Sequence, residues 1–177
     1  MAIKVFIYSL LVLSLISLFT SISNEVDESS QKDIPLITFS NSTMYTLNNK
    51  EVTRIVQSTE SIRYKSRDEM FEGVFYLRAK SKDRNDLADV ISADFIEKKG
   101  PKLKFVNSVK YNRADFVTLK TDILHYNLDT KIVYNNKPFI GTYYNDSLNG
   151  TELYMDTNKT HFKSKNAHFE IDLEKKE

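Results

Sequence analysis

Three runs along this chain rise and fall in the same way, and they constrain its fold more than any other feature. Leu103-Lys104-Phe105-Val106-Asn107, Ile132-Val133-Tyr134-Asn135-Asn136 and Phe162-Lys163-Ser164-Lys165-Asn166 each alternate in character and end in Asn, with the Asn residues 29 and 30 positions apart. Each run follows another short alternating segment (residues 94–97, 122–125 and 152–155) across a polar turn. Period-two alternation on both sides of a turn is the pattern of a β-hairpin. A hairpin repeated at this interval stacks strands along an axis and offers long surfaces rather than a deep catalytic pocket.

The alternation extends almost everywhere from Ile34 onward, so the body is an all-β protein. Leu36 to Phe39, Thr43 to Leu47, Val52 to Ser58 and Ser61 to Tyr64 are predicted as separate strands, and about a dozen or more short strands are expected in all. A sandwich, a jelly roll and an open twisted roll all fit that pattern. One face of each strand is apolar and aromatic, with Ile91, Ala93 and Phe95 together on one and Leu103, Phe105, Val109 and Tyr111 on the next. Four Gly and three Pro against ten Tyr and eleven Phe argue for ordered strands.

Charge and chemistry narrow the function. The 25 basic and 24 acidic side chains nearly cancel, so no field draws in nucleic acid. The absence of Cys excludes disulfides, thiolate metal sites and catalytic thiols. His125, His161 and His168 lack metal-ligand spacing, and no phosphate loop or nucleophile elbow is present. Adjacent carboxylates such as Asp68 and Glu69 point to opposite sides of a strand and do not share a proton. An enzyme is not expected, nor a metal or other cofactor.

Residues 1–22 read as a transmembrane anchor or a signal peptide. Lys4 is followed by 18 residues without a charge, Val5 to Ile22, which span about 27 Å as a helix. Retention makes the segment an anchor with Lys4 inside; Ser21 and Ser23 also fit a cleavage site. Residues 23–33 form an acidic spacer, and residues 34–177 the β domain.

In their order along the chain, the apolar leader, the acidic spacer, Pro35-Leu36-Ile37-Thr38-Phe39 leading to Met44-Tyr45-Thr46-Leu47, and the strand repeats ending in Asn107, Asn136 and Asn166 resemble the LptC family. The segment Ile132-Val133-Tyr134-Asn135-Asn136-Lys137-Pro138-Phe139-Ile140-Gly141-Thr142-Tyr143-Tyr144 is similar to forms found in divergent proteobacterial members. The resemblance implies an open twisted β-jelly roll of antiparallel strands behind one N-terminal transmembrane helix, anchored by a single pass in the bacterial inner membrane with its body in the periplasm. It implies that the apolar interior takes the acyl chains of lipopolysaccharide. The implied partners are an inner-membrane ABC transporter complex, which loads the lipid, and a periplasmic bridge protein of the same fold, which receives it.

Strand parity supplies the groove candidates: Ile91, Phe95, Phe105, Val109, Val117, Leu119, Ile132, Tyr134, Leu153 and Phe169. The last predicted strand, comprising Ala167, His168, Phe169, Glu170, Ile171, Asp172 and Leu173, has only Glu174-Lys175-Lys176-Glu177 after it and is expected to be an unpaired edge that docks the bridge protein. The competing class is a membrane-tethered structural or adhesive β-sandwich with a filled core.

Overall fold

The computed structural model describes residues 5–8, 11, 33–49, 51–78, 88–113, 117–144, 146–159 and 161–171. Residues 5–8 and 11 are helical, and no helix among the described residues is long and apolar enough to cross a membrane. The rest of the expected anchor and the spacer through residue 32 lie outside the described residues.

Residues 33–171 build nine strands: β1 (Ile37–Leu47), β2 (Val52–Arg63), β3 (Asp68–Arg78), β4 (Ala88–Lys99), β5 (Lys102–Arg113), β6 (Val117–Asn127), β7 (Ile132–Tyr143), β8 (Asp146–Asp156) and β9 (His161–Glu170). They form one antiparallel sheet in chain order, so β1 and β9 each have a single strand neighbour and the sheet is open. The connectivity is a meander without crossovers. Where the sequence predicts a dozen or more short strands, the structure has nine long ones, because the interruptions in the alternation are bends within strands rather than turns between them.

The bends are visible in the backbone. Asn41, Glu72, Asn107, Ser108, Glu152 and Asn166 all have positive φ, and each sits near the middle of its strand. Left-handed backbone is costly for residues with a Cβ but least so for Asn, whose short amide can bond locally. Of the repeated Asn residues, Asn107 and Asn166 adopt this conformation and Asn136 lies inside the register shift between Asn135 and Pro138, so each sits at a mid-strand bulge. The ladder shifts register beside it, between Val106 and Val109, Thr121 and His125, and Asn135 and Pro138. Side chains from the following strand bridge the gaps. Ser108 Oγ donates to Asp94 Oδ2 at 2.8 Å, Asn135 Nδ2 to Thr121 Oγ1 at 3.0 Å, and Asn166 Nδ2 to Thr151 Oγ1 at 3.0 Å. Asn135 Oδ1 also accepts from Leu153 N, next to the bulge at Glu152. The last of these bonds satisfies a backbone donor that the broken ladder would otherwise leave without a partner, and the others tie neighbouring strands together across the gap.

The aligned bulges form a crease across the sheet, and the two halves of the bent strands fold face to face as two limbs. Phe75 of one limb meets Phe105 of the other with ring centroids 5.6 Å apart in an edge contact, although β4 lies between their strands. Tyr143, near the end of β7, meets Phe162, near the start of β9, at 5.9 Å. The core lies between the limbs.

Candidate functional site: the folded interior and its open edges

A single row of side chains crosses the first limb through all nine strands. The register runs Met44, Val56, Phe75, Ile91, Tyr111, Leu119, Gly141, Leu148 and Phe169, each the direct partner of the next. On the second limb Phe39, Ser61, Met70, Ile96, Phe105 and Leu124 form a facing row. A further row joins Leu103, Tyr126, Val133, Met155 and Phe162. Gly141 is required in its row, because a Cβ there would lie 1.8 Å from the Thr118 carbonyl oxygen.

Exposure along these rows changes from middle to edge. Phe75, Ile91, Ile96, Phe105 and Leu119 are at most 1% exposed, whereas Phe39 is 50% and Phe169 42% exposed. The interior is thus closed to water in the middle strands and uncovered along β1 and β9. Ile37 extends the exposed apolar strip on β1, while Tyr143, Phe162 and Phe169 form an aromatic cluster at the β9 side.

Seven of the ten groove candidates lie on the inner face. Ile91, Phe105, Val109, Val117, Leu119 and Leu153 are buried there, and Phe169 lies at its exposed margin. Phe95, Ile132 and Tyr134 lie on the opposite face, which corrects the parity expectation. On β2, β3 and β4 buried positions step by three rather than two across the crease, at Ser58 and Ser61, Met70 and Gly73, and Ala93 and Ile96. Ile96 therefore takes the inner position, and Phe95 packs outside against Phe71 at 5.4 Å. On β7 the inner residue is Val133, which turns Ile132 and Tyr134 outward.

Ala167 to Glu170 of the expected edge segment belong to β9, which among the described residues pairs with β8 alone, and Ile171 follows it. Asp172 and Leu173 lie outside the described residues. His168 and Glu170 pair with each other at 3.0 Å on this strand.

A polar latch joins the limbs at one end. Asp89 accepts from Arg113 Nε at 2.5 Å, Arg113 Nη2 at 2.8 Å and the Tyr111 hydroxyl at 2.9 Å. Arg113 Nη1 then donates to the Thr157 carbonyl beyond β8 at 2.8 Å, and Thr157 N donates to Lys131 O at 3.0 Å. The Arg113 and Asp89 side chains are 6% and 2% exposed. Burial works against the Arg113 charge, yet its bonds to Asp89 hold the guanidinium above its ordinary pKa. Burial and the Asp89 charge push the Tyr111 phenol well up and the Tyr126 phenol up to about 12. The sequence reading missed this cluster although its signal is there. Asp89 lies in phase with Ile91 and Ala93, and Arg113 with Val109 and Tyr111, so both charges fall on the apolar face of one hairpin.

A second polar spot interrupts the interior near β1. Ser42, Ser58 and Ser61 hydrogen-bond one another at 3.0, 3.0 and 2.6 Å. Among the described residues no group of three His, Asp or Glu side chains is placed to hold a metal.

No family model matches the chain, and no curated protein sequence matches it. Among solved structures the chain is similar to LptH of Pseudomonas aeruginosa, the LptA-homologous periplasmic component of the lipopolysaccharide transport device. The likeness has 12% identity, covers 77% of this chain and 94% of that one, and has a TM-score of 0.39. At that level it carries no inference, and the fold described here rests on the strand order and register alone.

Proposed function

We propose that the domain is a lipid-binding relay of the cell envelope, which holds acyl chains of lipopolysaccharide between its two limbs. In this reading it accepts the lipid from an inner-membrane ABC transporter complex and passes it to a periplasmic bridge protein of the same fold. The observation that supports it is the continuous inner apolar row, covered in the middle and uncovered at both sheet edges. The sequence resemblance to the LptC family points the same way.

The filled middle sets the energetics. A chain entering from β1 or β9 replaces side-chain contacts between limbs with contacts to its own methylenes, so the protein's apolar surface stays covered. The chain gains about 0.8 kcal/mol per CH₂, on the order of 10 kcal/mol at most for about twelve carbons. The cost is parting the limbs at the crease and at the latch. A chain held this tightly does not leave into water, so release needs a second apolar groove docked at an edge. The unpaired backbone of β9 suits strand addition.

Photoreactive residues at Phe162, Phe169 and Phe105 test the reading. Capture of lipopolysaccharide from these positions, and not from the outward Thr118, is expected; capture only from Thr118 refutes it. Deleting residues 167–177 should separately abolish bridge-protein binding, and retention would place docking elsewhere. The filled core also favours a second reading, a tethered structural β-module without cargo. Delipidated protein distinguishes the two, since a relay takes up a fatty-acid probe saturably and a packed module does not.

A further inference from the structure

The outer face carries a second row that the inner, lipid-facing reading does not use. In direct register across β5 to β9 stand Lys104, His125, Tyr134, Tyr154 and Lys163. His125 and Tyr134 stack with ring centroids 4.7 Å apart and planes 9° from parallel. Tyr134 and Tyr154 are 45% and 40% exposed, and they floor an open trough of about 820 Å³ that also reaches Ile132 and Lys163. Four strand spacings separate the terminal lysines, about 19 Å.

The row continues into Glu97, which stands directly opposite Lys104 on β4, and Glu152 lines the trough beside Lys163 and Lys165. Glu97 is paired to Lys99 and Glu152 to Lys165, which leaves Lys104 and Lys163 without an ion-pair partner among the described residues. A flat aromatic floor tipped with phenol hydroxyls and bounded by ammonium groups presents three things at once: ring faces for C–H groups, hydroxyls that donate and accept, and positive charge at each end. Few ligands use all three. The near-neutral chain has no extended basic path for a nucleic acid backbone. A peptide strand would need free backbone groups, and within β6 to β8 the ladders on both sides consume them. A lipid surface favours protruding aliphatic side chains over a recessed phenolic floor.

The geometry points to a binding site for an acidic oligosaccharide, its rings laid on Tyr134 and Tyr154 and its carboxylates on Lys163 and Lys104. The residues assigned to the ligand, Lys104, Tyr134, Tyr154 and Lys163, lie on the outer face, although the buried Asn135 and Leu153 of the inner side also border the trough.

Calorimetric titration of the full chain with trigalacturonic acid, and with maltotriose as the uncharged counterpart, tests the assignment. Saturable binding of the uronide is expected, with maltotriose at least fivefold weaker. Tyr134→Ala, Tyr154→Ala and Lys163→Gln should each weaken uronide binding at least fivefold. Far-UV circular dichroism on each variant verifies that the sheet is intact, and Lys163→Gln, at an exposed position, provides a variant whose folding is not at risk. No binding, equal binding of maltotriose, or binding that none of the three substitutions weakens overturns the proposal. So does sedimentation with phosphatidylglycerol vesicles that the same substitutions abolish while uronide binding is unaffected. Photocapture of lipid inside the fold reads different residues, so either result can fail without the other.

Discussion

Replacing Asp89 with Ala leaves the Arg113 guanidinium, in a side chain 6% exposed, with no carboxylate, and leaves the Tyr111 hydroxyl without its acceptor. Removing one member of a buried, hydrogen-bonded ion pair costs about 3–5 kcal/mol, because the remaining charge stays desolvated. Against a total stability of roughly 5–15 kcal/mol for a domain this size, that is a large fraction. With a urea m-value of about 2 kcal/mol/M the midpoint should fall by about 1.5–2.5 M. Arg113→Met should cost about as much, since it strands Asp89 and also releases the Thr157 carbonyl. The double variant Asp89→Leu with Arg113→Met removes both charges and should be more stable than either single variant. On the proposed relay reading the two singles should also take up more fatty-acid probe than wild type, because the latch is a buried polar contact between limbs. Urea unfolding followed by far-UV circular dichroism reads the first effect, and probe fluorescence the second. Single-variant shifts below about 0.3 M, with a double variant equal to their sum, would refute the reasoning by showing the pair to be solvated and uncoupled.

Gly141→Ala should lower stability by about 1–3 kcal/mol or more, read by urea unfolding, because backbone of β6 must move from the new Cβ. Asn107→Ala should cost about 1 kcal/mol and Asn107→Gly little, since only the backbone at φ 60° distinguishes them; equal effects would remove the bulge argument. Tyr111 and Tyr126 have phenol pKa values raised by burial, so their stabilisation is complete below about pH 10 and is lost as pH rises through the folded value, about 12 for Tyr126. Absorbance titration at the phenolate band should show these two ionising only as the fold is lost. Burial and then Lys104 lower the His125 pKa, so the unfolded chain binds its proton first and stability should drop as pH falls below about 6.5. His125→Phe should flatten that part of the stability profile.

The class of fold was legible because alternation is a local property, and the hairpin period survived because each hairpin is one repeat of the meander. The number of strands was not legible. Asn166 looks like a strand end, since a left-handed residue breaks alternation just as a turn does, yet the chain continues into the same ladder beyond it. Parity assignments failed for the same reason. Phe95 was placed by counting twos from Ile91, while the backbone steps by three between Ala93 and Ile96. Tyr134 and Ile132 were placed as if their strand began on its inner face. The charged residues in the apolar phase, Asp89 and Arg113, are readable from the same alternation.

The crease explains why one short pattern governs both shape and proposed function. A flat nine-strand meander would expose one whole apolar face; bulges aligned across its middle let that face close on itself, which the paired rows of Phe75 and Phe105 achieve. Closure at the middle leaves the outermost strands uncovered on their inner side, since among the described residues neither has a strand beyond it to continue the fold. The exposed Phe39 and Phe169 are therefore consequences of an open sheet folded at its waist, not local exceptions. The same bulges interrupt the ladder where bending is needed, so the limbs part most easily about the crease and are held chiefly by apolar contact and by the Asp89, Arg113 and Thr157 latch. If acyl chains exchange with those contacts as proposed, they meet resistance at this polar cluster, and stability and lipid uptake should move in opposite directions when it is cut.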